Sequence, residues 1–293
     1  MAVTPRNAYE ETFMRTYDLT PAQKRSRLFE CCMPAEEFLS GNTFNYNRIG
    51  QISSQEKVGS YAATPVNPAP HDRRIGFRDV RHANVPIDTS DVRRMISDPE
   101  SQYVRRVRQE HGQTIDDKII EALGGNAMRK DADSAIQNIA LPAAQKIAHG
   151  NSGFTLAKIV SAGMKLDEAE VGTIDENPRY LVLSARQIAD ALQIEQFTSK
   201  DYTGRMEALM RGEIINYAGF MWKRSERLPK NGNVRSIYAF TKDAIALGCD
   251  GELRDLIIER VQAHSYARAV YAEWERGALR TAEERVVEIA CQE

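Results

Sequence analysis

Few residues of this chain stand at the spacings that catalysis, metal binding or cofactor binding requires. The five histidines are dispersed and none belongs to an H-E-x-x-H pattern, while the four cysteines form no C-x-x-C pair. Neither of the glycine-rich loops that cradle phosphates, G-x-x-x-x-G-K-[ST] and G-x-G-x-x-G, occurs. The sequence therefore predicts no catalytic group, no metal site and no cofactor.

Three kinds of stretch begin like functional motifs and then depart from them. In residues 150–153 the serine stands one place too early for a G-x-S-x-G nucleophile elbow, which favours a flexible turn. Residues 131–134 begin like a calcium loop, but Ile136 occupies the position that requires glycine. Adjacent acids do not converge on one point in a helix or a strand, so they do not indicate a catalytic carboxylate pair. These adjacent acids are Asp116-Asp117 and Glu283-Glu284.

The one local charge bias is a cluster of arginines between residues 73 and 94. Charges of this kind protect a strand edge from aggregation, which is one interpretation of the cluster. The alternative is that the guanidinium groups pair with carboxylates of a partner subunit, since such pairs form strong bidentate hydrogen bonds. The arginines are Arg73, Arg74, Arg78, Arg81, Arg93 and Arg94, and the acids among them are Asp72, Asp79, Asp88 and Asp91.

The overall composition is that of an ordinary globular protein. Of the 293 residues, 42% are hydrophobic and 27% are charged, and 39 Lys+Arg against 41 Asp+Glu leave a formal charge of -2. These values exclude collagen-like and wholly disordered chains and disfavour a strongly basic nucleic-acid binder. The sequence shows neither a secretory signal pattern nor an apolar run long enough to span a membrane. We expect a soluble protein of two domains, or one elaborated domain, made in the cytoplasm.

Residues 48–87 predict a long β-hairpin around a proline-rich tip at Pro65, Pro68 and Pro70. In the return leg, Ile75 and Phe77 point one way while Arg74, Gly76 and Arg78 point the other. A two-stranded ribbon is at best marginally stable in water, and this one has few apolar side chains to bury. We expect it to be covered from outside, either by the body of its own subunit or by a neighbour.

A long helix is predicted from about residue 100 to about residue 123, where two glycines end it. Its charges are segregated against the helix dipole, with basic residues in the first half and acidic residues in the second. The charges either form a solvated face or let identical helices of adjacent subunits meet with opposite ends facing. They are Arg105, Arg106 and Arg108 in the first half, and Asp116, Asp117 and Glu121 in the second.

The remaining segments predict an α+β fold in which the two halves of the chain share a sheet. Residues 1–47 read as an arm with a short helix that opens at Thr20. After residue 151 short helices and strands alternate, among them a strand, RYLVL, whose following Ser184 caps the helix ARQIADAL. Further on, a strand broken at Gly219 and a final strand, RVVEIAC, are predicted.

The order of these elements resembles the tailed-phage major capsid proteins of the Hong Kong 97 (Johnson) fold. The resemblance extends along nearly the whole chain and is carried by loose structural motifs. One motif has the form G-x-I-x-x-x-x-G-F-x-x-x-x-S-x-x-L-P, and a later one joins an aromatic residue to Asp-Ala and an apolar pair. The matching residues are Gly212, Ile214, Gly219, Phe220, Ser225, Leu228 and Pro229, then Phe240, Asp243, Ala244, Ile245 and Leu247.

The resemblance implies an α+β capsid subunit with four parts and no enzymatic activity. They are an N-terminal arm (1–47), an extended loop (48–87), a peripheral domain with a long spine helix (88–150 and 266–293), and an axial domain (151–265). Such subunits assemble into pentamers and hexamers that close into an icosahedral head around double-stranded DNA, without sequence-specific binding. The expected location is the virion, after synthesis in the host cytoplasm.

One departure from the family is the lack of a long charged helical region before the arm, which favours a separate scaffolding protein. A portal and a decoration protein are further expected partners, and no membrane is involved. An encapsulin-like nanocompartment shell and an unrecognised soluble enzyme remain the alternatives. The predicted intersubunit contacts are Arg73, Arg74, Ile75, Phe77, Arg78, Arg81, Arg105, Arg106, Asp116, Asp117 and Glu121.

Overall fold

The computed structural model describes residues 20–34, 39–40, 42–56, 66–87, 100–130, 135–171, 176–194, 216–249, 253, 255–262 and 266–293. The chain divides into two compact units. The first comprises residues 1–25, 80–113 and 251–274, and the second comprises residues 26–79, 114–250 and 275–293.

Three helices and eighteen strands make up the described secondary structure, apart from short 3-10 turns. The helices are α1 (Glu100–Gly124), α2 (Leu156–Glu168) and α3 (Ala185–Leu192). The first nine strands are β1 (Met33–Pro34), β2 (Leu39–Ser40), β3 (Thr43–Ile49), β4 (His71–Phe77), β5 (Asp79–Ile87), β6 (Ala127–Lys130), β7 (Ile136–Ile139), β8 (Lys146–Ile147) and β9 (Arg179–Leu183). The others are β10 (Asn216–Tyr217), β11 (Phe220–Arg224), β12 (Lys230–Asn231), β13 (Val234–Thr241), β14 (Ile245–Leu247), β15 (Asp255–Val261), β16 (Ala267–Arg276), β17 (Ala278–Arg280) and β18 (Val286–Gln292).

The first unit is built around a three-stranded sheet in the order β15-β16-β5. Alternate residues of β16 are buried, as expected for a sheet with one covered face. Its small core contains Val270, Ala272 and Trp274 together with Val107 of helix α1. The ring of His111 meets the edge of Trp274, with 5.7 Å between the ring centroids.

The second unit contains a seven-stranded mixed sheet, ordered β10-β11-β9-β13-β18-β8 with β12 paired to β13. All five residues of β9 are buried, which is the pattern of a strand covered on both faces. Helix α2 packs on this sheet through Ile159, Ala162 and Leu166, which recur at helical spacing. The main hydrophobic core lies here.

Two further sheets belong to the second unit. A five-stranded sheet runs in the order β2-β3-β4-β6-β7 and holds the base of the predicted hairpin. A three-stranded sheet pairs β1 with β14 and β14 with β17, so that residues of both chain halves share it as expected. Within the described residues, no helix is long and apolar enough to cross a membrane.

Several local predictions are confirmed. Helix α1 spans Glu100–Gly124, as its periodicity and terminal glycines indicated. Ser184 caps helix α3 in a capping box with Gln187. The predicted break at Gly219 separates β10 from β11, and its φ of 79° explains why glycine stands there.

Other predictions differ from the structure. No helix opens at Thr20, because the backbone N–H groups of Arg27 and Leu28 are satisfied by the Asp116 carboxylate instead. The hairpin ladder runs from Thr43↔Phe77 to Ile49↔His71, so its outward strand begins earlier than residue 48. The segment after Phe77 leaves the hairpin and becomes β5 of another sheet.

The last strand pairs with a strand from the predicted axial domain, and the assignment of domains itself stays a prediction. Strand β18 pairs with β13 along its whole length, from Val234↔Gln292 to Phe240↔Val286. Residues 286–292 therefore lie inside the sheet of the predicted axial domain, although they were assigned to the peripheral domain. Residues 57–65, 88–99 and 195–215 lie outside the described residues. They include Pro65 of the predicted hairpin tip, Arg93 and Arg94 of the arginine cluster, and Gly212 and Ile214 of the family motif.

Candidate assembly interface

The base of the hairpin is built into the five-stranded sheet of its own chain. Strand β4 pairs with β3 on one side and with β6 on the other, and Ile75 is buried between them. A Cβ atom on Gly76 would overlap the ring of Phe44, its cross-strand partner, so glycine leaves room for that ring on the face of the sheet. The first part of the hairpin is thus stabilised without any neighbour.

A buried ion pair fixes strand β4 to the segment before the last strand. The Arg74 guanidinium donates to both carboxylate oxygens of Glu283, each at 2.8 Å, and its Nε donates to Asp72 at 2.9 Å. Asp72 in turn pairs with Arg129 of β6 at 2.9 Å. Only 3% of Arg74 is exposed. Burial by itself lowers the pKa of this guanidinium, but the hydrogen bonds and charges of Glu283 and Asp72 raise it above its ordinary value.

A second buried arginine, Arg280, extends this network to the end of helix α1. Its guanidinium is 1% exposed and lies 3.6 Å from Glu283, and burial lowers its pKa. The carboxyl end of a helix carries unpaired carbonyls and partial negative charge, which a cation satisfies. The guanidinium donates to the carbonyls of Ala122 (3.4 Å), Leu123 (3.1 Å), Gly125 (2.7 Å) and Ile139 (2.9 Å). Glu283 therefore links the hairpin base to the end of the helix.

The outward strand of the hairpin has its own, more exposed anchor. Arg48 donates to the Glu284 carboxylate at 3.1 Å. Partial burial raises the pKa of Glu284, but the hydrogen bond from Arg48, a backbone hydrogen bond and the charges of Arg48 and Arg74 together outweigh it, and the net shift is downward. The adjacent acids Glu283 and Glu284 thus serve different strands of the same hairpin, which agrees with the expectation that they do not converge.

Beyond this anchored base, the hairpin carries apolar side chains that its own chain leaves uncovered. Ile49 is 63% exposed, Ile52 is 67% exposed and Val66 is 89% exposed. Phe77, at the base of the return strand, is 39% exposed. We call Ile49, Ile52 and Val66 the distal apolar set. Exposed large apolar side chains become interaction surfaces where they form a contiguous patch.

Five of the predicted contact residues are engaged by their own chain. Arg74 and Ile75 lie in the anchored base, and Arg78 pairs with Glu275. Asp116 is fully buried, where it accepts hydrogen bonds from the Ser26 hydroxyl at 2.5 Å and from backbone N–H groups. Asp117 pairs with Arg227. These side chains therefore already have partners or are buried within the subunit, and their role as contacts between subunits stays a prediction.

The other predicted contact residues point to solvent. Arg73 is exposed and donates to Asn47 at 3.0 Å, and Arg81 and Arg105 are exposed. Arg106 is exposed and donates to the Gln109 side chain at 3.1 Å. Glu121 is exposed and pairs with Lys118 at 3.1 Å.

The residues that position the hairpin were missed because their partners are distant in sequence. Glu283 lies 209 positions from Arg74, and no local spacing relates the two. The adjacency of Glu283 and Glu284 in the sequence indicates nothing about these distant partners. The sequence around Arg280 does not distinguish an arginine that caps a helix from an arginine at the surface.

Comparison with known proteins agrees with this architecture. A family model described as phage capsid protein matches residues 6–293. The fold is similar to the capsid of cyanophage P-SCSP1u, at 16% identity and TM-score 0.75, with 99% of this chain and 94% of that chain covered. It is also similar to the capsid of cyanophage Pam1, at 13% identity and TM-score 0.72, with 98% and 97% covered. A structure from Mycobacterium phage Che8 matches at 14% identity and TM-score 0.70, with 96% of each chain covered.

No curated protein sequence matches the chain. The similar structures therefore show the fold, and the family model shows the family. Together they confirm the resemblance to tailed-phage capsid proteins and the α+β Hong Kong 97-type fold that the order of elements indicated. Nothing found favours the encapsulin-like shell or the soluble enzyme. The chain belongs to the phage capsid protein family and is a major capsid protein, a structural subunit of the shell of a virion.

Proposed function

We propose that this subunit assembles into pentamers and hexamers that close into an icosahedral head around double-stranded DNA, and that its hairpin lies across a neighbouring copy. One observation carries the second part of the proposal: the hairpin is anchored by its own chain at the base but leaves its distal apolar set uncovered. A neighbour is the surface that would bury these side chains. As a structural subunit, it has no catalytic step to perform.

The size of each contact suits a shell that must assemble accurately. Burying one isoleucine or valine side chain contributes about 1.5–3 kcal/mol, so the distal apolar set supplies a few kcal/mol for each subunit. Contacts of this size are reversible one at a time, whereas many of them together hold a closed particle. Misplaced subunits can then leave before the shell closes.

Some of the predicted contact residues are exposed, whereas others are already engaged within the subunit. We propose that Arg73, Phe77 and Arg81 of the hairpin region remain candidates, together with Arg105, Arg106 and Glu121 of helix α1. All are at least partly exposed. Because exposed ion pairs contribute about 0–1 kcal/mol, these charges would set orientation more than affinity.

The domain plan can be revised in the same way. We propose that the seven-stranded sheet is the axial domain, with strand β18 included, and that the three-stranded sheet of the first unit belongs to the peripheral domain. The arm and the extended loop keep their proposed identities. A separate scaffolding protein, a portal and a decoration protein stay proposed partners. The near-neutral formal charge of -2 fits a wall that encloses DNA without gripping it.

The assembly proposal is tested by placing charges on the distal apolar set. The double variant Ile49→Asp/Ile52→Asp should give a folded subunit that fails to form shells when it is co-expressed with its genomic neighbours. Electron microscopy and sedimentation measure the shells, and thermal unfolding measures the subunit. The control Ile49→Val/Ile52→Val keeps the positions apolar and should assemble. Normal shells from the aspartate variant would contradict the proposed role of the hairpin.

A further inference from the structure

A turn at residues 149–153 closes an open edge of the seven-stranded sheet. Strand β8 pairs with β18 only at Glu288↔Lys146 and Ile289↔Ile147. Past that point the edge of β18 is covered by the turn, since the backbone N–H of Gln292 donates to the Ser152 carbonyl at 3.0 Å. The turn thus replaces the missing part of a strand.

The conformation of this turn brings several carbonyl groups together. Gly150 and Asn151 have φ angles of 55° and 52°, so the chain reverses within two residues. The backbone N–H of Ser152 donates to the His149 carbonyl at 3.0 Å. Gly153 is tightly enclosed, because a Cβ atom there would lie 2.7 Å from Asp190 Oδ2. The turn is therefore held in one shape before any ligand is considered.

The ammonium group of Lys158 lies where these carbonyls converge. The side chain comes from the first turn of helix α2 and is 7% exposed. Its Nζ donates to the carbonyls of His149 (2.9 Å), Ser152 (2.9 Å), Gly153 (2.7 Å) and Ala290 (3.0 Å). Three of these carbonyls belong to the turn, and the fourth belongs to β18 beyond the point where β8 ends. One cation therefore joins the turn to the strand.

The arrangement of carbonyls around the Lys158 ammonium resembles an ion-binding site more than an ordinary hydrogen-bonded pair. An ammonium has three protons, but four carbonyls surround this one. Among the described residues no carboxylate forms an ion pair with Lys158. Burial lowers the pKa of the ammonium, and the nearby Cys291 raises it by less. The four carbonyls supply hydrogen bonds in place of those to water that burial removes. Rings of backbone carbonyls bind dehydrated monovalent cations in the same manner.

We propose that the carbonyls of His149, Ser152, Gly153 and Ala290 form a monovalent-cation site that Lys158 fills from within the chain. The ligand class is a primary alkylammonium. Removing the side chain beyond Cβ would leave the carbonyls in place and a channel of matching length. A free alkylammonium would then bind there and restore the join between the turn and β18. This site does not include the distal apolar set, so either of the two proposals can be wrong without affecting the other.

The test uses the full-length subunit with Lys158→Ala and n-propylammonium, which supplies the atoms that the substitution removes. Hydrogen exchange at the Gln292 amide measures how often the hydrogen bond between the turn and β18 opens. It should become roughly tenfold faster in the variant, because a lost hydrogen bond to a charged group corresponds to at least that factor in local opening. Millimolar n-propylammonium should return exchange toward the wild-type rate, whereas n-propanol should not.

Two further variants serve as controls for the loss of the Lys158 charge. Lys165→Ala is the matched control, since this lysine of the same helix donates to a single carbonyl, that of Ala144, at the surface. Lys158→Met keeps the apolar stem, so its exchange should also be fast but should not respond to n-propylammonium. If Lys158→Ala does not fold alone, n-propylammonium should rescue its refolding and n-propanol should not.

Three outcomes would overturn the proposal. One is exchange at Gln292 in Lys158→Ala that matches that of Lys165→Ala. Another is equal rescue by n-propanol, because this would show that the site needs volume and not charge. The third is a Lys158→Ala chain that stays unfolded in the presence of either compound.

Discussion

Replacing Glu283 by glutamine tests how the hairpin base is stabilised. The carboxylate of Glu283 is shared by two buried cations, Arg74 at 2.8 Å and Arg280 at 3.6 Å. Glutamine has almost the same shape but no charge, so Glu283→Gln leaves both guanidinium groups buried with less compensation. The reverse change, Arg74→Met, leaves Glu283 with Arg280 and leaves Asp72 with Arg129. We therefore expect Glu283→Gln to be the more harmful of the two.

The expected magnitude follows from the cost of a buried charge without its partner. Breaking a buried ion pair by removing one member typically costs about 3–5 kcal/mol. A loss of about 3 kcal/mol would lower the melting temperature of a chain this long by roughly 6–12 °C. Because Arg74→Met removes one of the two stranded cations, adding it to Glu283→Gln should cost less than it does alone. The coupling energy of the pair should be about 1–3 kcal/mol.

Denaturant unfolding of the unassembled subunit measures these free energies, and a double-mutant cycle gives the coupling. The neighbouring residue provides the control. Glu284 pairs with Arg48, whose side chain is 35% exposed, so Glu284→Gln should change stability by no more than about 1 kcal/mol. Equal effects of the two glutamine substitutions, or a coupling near zero between Arg74 and Glu283, would refute the reasoning.

Three other predictions concern single residues of the second unit. Burial raises the pKa of Glu293, but hydrogen bonds from Lys230 and its neighbours dominate and lower the pKa to about 2. A carboxyl group whose pKa is lowered on folding contributes stability above its ordinary pKa of 4.5, and this stability is lost as the pH falls toward about 2. Glu293→Gln should therefore flatten the dependence of the unfolding free energy on pH in that range. Gly76→Ala should destabilise the subunit by about 1–3 kcal/mol through overlap with the Phe44 ring. In helix α2, a Cβ atom added at Gly163 would have its nearest neighbour at 3.9 Å. Gly163→Ala should therefore stabilise the subunit by about 0.5–1 kcal/mol in thermal unfolding. Destabilisation would contradict this view of the packing.

The local elements of this fold could be predicted because the interactions that form them are close in sequence. The capping box joins Ser184 to a residue three positions later, and a single glycine at 219 supplies the φ that breaks the strand. Helix α1 follows from its own periodicity and its terminal glycines. The order of such elements was enough to indicate the capsid fold.

The partners of buried charges could not be predicted, because tertiary packing alone brings them together. An arginine on an alternating strand has the same sequence pattern whether it faces solvent or, like Arg74, a carboxylate 209 positions away. Asp116 was expected to contribute to a surface charge pattern, yet it accepts hydrogen bonds from residues near position 27 inside the unit. The amino-acid sequence by itself determined which segments form helices and strands and in what order. Tertiary structure decided which charges are buried, which strands share a sheet, and which apolar side chains of the hairpin stay uncovered, since each of these depends on distances between residues remote in the chain.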